Sequence, residues 1–188
     1  MHKPPAIRAG GPADQTFLSR RFSAEWEWLQ ARAAEDPRVV LVVESLQRDE
    51  LLALYGCCDV CLSLHRSEGF GRGMAEALQL GVDVIANDFG GNTDFCTGPL
   101  AHPVRWRKAP IPRGSYPNAD GHNWAEPDLG HAAELCQQVA ASRLAAASNS
   151  EISDPRRDCK VLANYRKKFS FVQVGNKYRA RLQVLWDD

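Results

Sequence analysis

The chain lacks any imbalance of charge: 23 Lys and Arg stand against 23 Asp and Glu, for a formal net charge of zero. A neutral whole-molecule field excludes electrostatic capture of nucleic acid or acidic lipid by the chain as a whole, so no nucleic-acid partner is expected. Long hydrophobic runs are missing too. No stretch approaches the roughly 18 apolar residues of a membrane span. The opening "MHKPPAIRAGGPADQ" holds no apolar run that could serve as a secretion signal. A cytoplasmic, soluble chain is expected. No internal repeat or low-complexity tract occurs. No second CxxC or paired His follows Cys58-x2-Cys61, so that pair lacks the companions of a zinc site, and no metal is expected. Without a secretory context the six cysteines (Cys57, Cys58, Cys61, Cys96, Cys136 and Cys159) should stay reduced and act as small buried hydrophobes. The 188 residues give room for one full domain, so 1–188 is read as a single unit with one core.

Within that frame the hydrophobic pattern alternates between two periods. Residues 14 to 35 place Leu18, Phe22, Trp26, Leu29 and Ala33 three and four apart, the spacing of one helix face, and Pro37 forbids continuation. Trp26 and Trp28 then point to different faces, one toward the core and one half-exposed. "VVLVV" at 39 to 43 reads as a buried parallel strand. A helix with Asp49 and Glu50 in its first turn follows. Next come a strand "VCLSL" (60 to 64), a helix "GRGMAEALQLG" stopped by Gly81, and a strand "VDVIA" (82 to 86). Strands alternating with helices imply βαβ units, an α/β fold with an open parallel sheet and helices on both faces. The Pro-, Gly- and Asn-rich stretch 98 to 125 reads as a long structured loop with "HPVRW" a short edge strand. A helix is expected from Glu126-Pro127-Asp128 onward. The segment 150–188 reads as C-terminal helices packing on the domain, joined near Ser170 to Gly175.

The densest chemistry lies in "LSLHRSEGFGRGMAEALQLGVDVIAND", residues 62 to 88, where a strand runs through a glycine turn into a helix. Such a turn sits at the carboxyl edge of a parallel sheet, where open α/β folds bind ligands. Gly69 and Gly71 let the backbone approach a ligand, and the unpaired N–H groups of the next helix suit a diphosphate. Two carboxylates, Glu68 and Glu76, would oppose phosphate directly and so point to neutral hydroxyls beside it. On one continuous helix, residues eight apart do not face a common point. With Glu68 at the strand end and Glu76 about a turn inside the helix, each carboxylate can serve one side of a diphosphate, sugar on one and ribose on the other. A dinucleotide fingerprint fails on spacing, since G-x-G-x-x-G would need glycine where Met74 stands. A glycine turn flanked by solvated glutamates is the plain structural alternative. His65 is a candidate base or a turn-ordering residue, and Asp94, beside Gly90-Gly91-Asn92, a substrate contact or a helix cap. Arg156, Arg157, Lys160, Arg166, Lys167, Lys168, Lys177 and Arg179 form either a solvated basic face or a contact with a membrane.

At these residues the chain resembles the nucleotide-sugar-binding half of a retaining glycosyltransferase of the GT-B fold, in the large bacterial "group 1" family. "HRSEGFGRGMAEALQLGVDVIANDFGGNTDF" is similar to that family's Glu-x7-Glu block, and "HPVRW", "YPNADGHNWAEPDLGHAA" and "FSFVQVGNKYRARL" resemble later segments, for a span of roughly 38 to 185. The resemblance implies that Glu68, the catalytic candidate, binds donor-sugar hydroxyls and that Glu76 holds the ribose. It places the amides of Gly69, Phe70 and Gly71 toward the diphosphate and sugar, and Ser45 and Leu46 near the nucleobase. Arg66 would assist the phosphates or brace the loop. The implied donor is a nucleoside diphosphate sugar, with neither cofactor nor metal. The implied acceptor is a glycan or a lipid-linked molecule, met at the inner face of the membrane through peripheral contact. Family enzymes pair this half with an N-terminal acceptor domain, expected here in cis or in trans. Their phosphate-binding Arg and Lys lie on first strands that are expected to be absent here or cut to "PPAIRAGG", with Arg8 the one candidate. A non-catalytic nucleotide-sugar-binding module, or a remnant of such an enzyme, is the alternative reading.

Overall fold

The computed structural model describes residues 23–115, 118–149 and 154–187. The N-terminal part of the helix expected from residue 14, and Arg8 with it, fall outside these. The chain divides into two compact units, 1–51 and 52–188.

In the first unit, α1 (Ser23–Glu35) ends in an Arg32–Glu35 ion pair. Trp26 is half-buried and Trp28 exposed, so the two differ in burial as the helical spacing predicts, but both are more open than the expected core and half-exposed pair. The "VVLVV" run is not a strand. Residues 39–43 have no regular structure, and Val39, Val40 and Val42 are exposed. β-branched composition supplies the propensity, but a strand exists only where a neighbour completes its hydrogen-bond ladder. Helix α2 (Arg48–Gly56) then begins, and Glu50 reaches back to accept from the Gln47 N–H at 2.8 Å, half of a capping box.

The second unit is built on a three-stranded parallel sheet of β1 (Val60–Ser63), β2 (Asp83–Asn87) and β3 (Ala101–Val104), in the order β1-β2-β3. Val60 pairs with Asp83 and Val84 with Ala101. All five residues of central β2 are buried, and its side chains alternate between two cores. Val84 and Ala86 join Met74, Ala77 and Leu78 of α3 (Arg72–Leu80), with Tyr165 of α5 (Cys159–Lys168). Ile85 faces the other way, onto Ala132 and Val139 of α4 (Leu129–Ser148). The fold is thus an α/β sheet with helices on both faces, followed by C-terminal helices.

Three boundaries differ from the sequence reading. The expected loop 98 to 125 contains, after β3, an antiparallel pair, β4 (Trp106–Pro110) with β5 (Asn123–Pro127). Glu126 and Pro127 therefore end a strand, and Asp128 caps α4 by accepting from the His131 N–H at 3.0 Å. The C-terminal helices α5 and α6 (Phe171–Asp187) meet at Phe169–Ser170, and Gly175 lies inside α6. The cysteines divide as well. Cys61, Cys96 and Cys136 are half-buried against the cores, but Cys57, Cys58 and Cys159 are exposed. Burial pushes the Cys96 thiol up to about 11.

At the amino edge of the sheet a chain of charges fastens the α4–α5 connection. His102 is 2.8 Å from Asp83, Arg143 bonds both Asp83 and Asp154, and Arg156 bonds Asp154 and, at 2.6 Å, Asp59.

Candidate functional site

The opposite, carboxyl edge carries the glycine turn. Helix α3 needs an abrupt start there, and Gly71 provides it: its φ of 88° is the left-handed conformation that side chains avoid. A Cβ at Gly71 would also lie 2.4 Å from the Met74 methyl. No side chain caps this helix. Its first N–H groups thus open toward the sheet edge, the arrangement that suits an anion.

Glu68, half-buried, folds its carboxylate back over the turn. Its Oε1 accepts from the N–H of Gly71 at 3.0 Å and of Phe70 at 3.3 Å. Two of the three amides expected to face a donor are thus held by the turn's own carboxylate. Phe70 is half-exposed and packs its ring 5.0 Å from Phe95, which in turn lies 5.2 Å from Phe169. This stack ties the turn to the end of α5.

Glu76, 8% exposed, lies one turn inside α3, with Arg72 at 4.0 Å across one helical turn. The Tyr55 hydroxyl stands over Gly73, so close that a Cβ there would be 2.8 Å away. Burial raises the Tyr55 hydroxyl above its ordinary value, with the Cys61 and Glu76 charges adding to the effect. Tyr55 and Arg72 are the residues that sequence reading missed. Tyr55 was concealed among the apolar positions of α2, whereas Arg72, the first residue of the helix after the glycines, had a usable signal in its position.

Arg66 is committed elsewhere. Glu126 holds its guanidinium with two hydrogen bonds, 2.7 and 2.9 Å, and the Trp124 ring lies 4.5 Å beneath it. The hydrogen bond from Arg66 lowers the Glu126 carboxyl below the usual range. This geometry braces the loop. His65 also braces: Nε2 donates to the Phe89 carbonyl at 2.8 Å, and Nδ1 is bonded to the Ser63 hydroxyl at 3.0 Å. Asp94 is exposed at the end of the short 3-10 turn Gly91–Asp94 and does not cap it. Ser45, exposed, and Leu46, half-buried, lie in the first unit ahead of α2.

Beneath the turn lies a polar scaffold. Buried Asn87 donates to the carbonyls of His65 and Ala125, and buried Asn92 donates to that of Asn87, joining the carboxyl ends of β1 and β2 to β5. The second glycine pair packs against the first: the Gly91 N–H donates to the Glu68 carbonyl at 3.2 Å, and a Cβ at Gly91 would lie 1.9 Å from the Gly69 oxygen. Only glycine fits there.

A carboxylate folded over a glycine turn, a second one buried inside the helix that the turn opens, and a backbone that admits no side chain beside them all fall within one segment. Residues 24–97 match the family model described as glycosyl transferases group 1. The matched segment contains Glu68, Glu76, the glycine turn, Tyr55, Arg72 and Asn92, and it supports glycosyl transfer as the class of activity. Comparison with curated proteins finds no match. Among the described residues, no group of His, Cys, Asp and Glu could hold a metal ion, and no helix is long and apolar enough to cross a membrane.

Proposed function

We propose that the glycine turn is the donor site of a retaining glycosyltransferase that moves a hexose from a nucleoside diphosphate sugar to a glycan or lipid-linked acceptor. The observation that carries this reading is the open, uncapped start of α3 with one carboxylate on each side of it. In this reading Glu68 exchanges its bonds to the Phe70 and Gly71 amides for hydroxyls of the donor sugar, and the released amides turn to the donor. Glu76, buried inside α3, anchors the ribose. Arg72 takes the part of cation beside the diphosphate, since Arg66 is bound by Glu126.

The bond from the sugar carbon to the diphosphate then breaks, its electrons leaving with the diphosphate. That charge is met by the amides at 69–73 and by the dipole of α3. The acceptor hydroxyl supplies the new bond on the same face, and its proton passes to the departing diphosphate. Residues 1–188 would form the donor-binding domain, with 150–188 as its C-terminal helices, and an acceptor domain in cis or in trans would complete the cleft.

Calorimetric titration with UDP, GDP, ADP and their common sugars tests the reading. One nucleotide should bind in the micromolar range, and Glu76→Ala, with Glu76→Gln as the variant of equal size, should weaken it at least about tenfold, the loss of one good hydrogen-bonding contact. Undiminished binding by both folded variants would overturn the assignment of Glu76.

A further inference from the structure

Helix α6 is turned the wrong way round for a helix in water. At about 100° per residue, Phe171, Val174, Tyr178, Leu182, Leu185 and Trp186 fall within one arc about 120° wide. Every one of them is exposed, Phe171 at 98% and Trp186 at 86%. The opposite side of the helix, through Gln173 and Lys177, lines a recess of about 470 Å³ with Asn164 and Lys168 of α5. The polar edge thus meets the protein and the apolar arc meets solvent.

The charge around the arc narrows what can cover it. Residues 159–187, which span α5 and α6, hold seven of the chain's 23 basic residues and one of its 23 acids, Asp187 at the end of α6. Arg179 and Arg181 flank the arc on either side at the helical spacing. A second copy of the chain would bring like charges together along this face, which costs free energy. An anionic surface would gain from both the bases and the apolar arc. Aromatic and aliphatic side chains on one face, with arginines at its margins, are what a helix lying in the plane of a bilayer interface uses, its arc sunk to the acyl boundary and its cations among the headgroups.

We propose that α6 docks the chain on anionic lipid, as a peripheral and not a spanning element. The inference is independent of the donor reading, because the arc shares no residue with the glycine turn.

Sedimentation with vesicles of phosphatidylcholine alone, or with phosphatidylglycerol added at about one third, tests it on the full chain. Binding should require the anionic lipid and weaken as salt rises. Arg179→Glu with Arg181→Glu should lower affinity at least about tenfold, from roughly one factor of five for each basic residue lost. Leu182→Ser with Trp186→Ser should abolish binding. All four positions are exposed, so the fold should persist, which circular dichroism checks. No binding to anionic vesicles, equal binding to neutral ones, or binding that survives both double variants would overturn the proposal. So would a dimer in solution whose formation shields Trp186 from an aqueous quencher.

Discussion

Single residues at the carboxyl edge divide into those held by partners inside the protein and those that stay exposed. Arg66 and His65, both prominent in the sequence, are held inside the protein, one by two hydrogen bonds to Glu126 and one by Phe89 and Ser63. Arg72 is largely exposed and only loosely paired with Glu76. Arg72→Ala should therefore weaken nucleotide binding about tenfold with little change in melting temperature, as measured by titration and thermal unfolding. Arg66→Ala should show the reverse ranking, since the pair it breaks holds β5 to the site loop. The sequence made Glu68 and Glu76 legible because their spacing around a strand-to-helix turn is a local property. It could not reveal that Arg66 has a partner 60 residues away, because that pairing exists only once β5 is in place.

Among elements, those defined by their own periodicity were readable and those defined by a neighbour were not. Helix α3 and strand β2 follow from local apolar pattern and from the glycines at 71 and 81. "VVLVV" has the composition of a strand but no ladder, whereas β4 and β5, polar and rich in proline and glycine at their ends, form a ladder through Ala109 opposite Trp124 and Lys108 opposite Ala125. The contact between the two glycine turns is likewise non-local. Gly91→Ala would drive a methyl group into the Gly69 carbonyl, and the backbones must separate. Overpacking of this kind costs about 1–3 kcal/mol. A fall in melting temperature of several degrees, joined to a loss of nucleotide affinity, is the expected result, because the displaced backbone carries Glu68.

At the largest scale, the two edges of the parallel sheet differ: the carboxyl edge carries the glycine turn and the amino edge is fastened by paired charges. Asp154 belongs to the second. Burial pushes its carboxyl up, but hydrogen bonds from Arg156 and the charge of Arg143 outweigh this and hold it below the ordinary 3.8. A depressed folded value means that its stabilisation is present above about pH 4 and is lost as the pH falls through the folded value. Asp154→Asn should melt below the parent at pH 7, and that gap should close as the pH is lowered past 4, as followed by thermal unfolding across the series. Formal neutrality likewise conceals a local pattern, for the bases of α5 and α6 are balanced by acids elsewhere along the chain.

The outward apolar arc of α6 also bears on how the chain comes apart. Folding hides little hydrocarbon in that helix, so its melting adds little to the heat-capacity increment of unfolding, which scales with apolar area newly wetted. Most of the increment belongs to β2, α3 and the two cores beside them. The helix can therefore fray and re-form while the sheet stays intact, and its backbone amides would trade protons with solvent far sooner than those of β2.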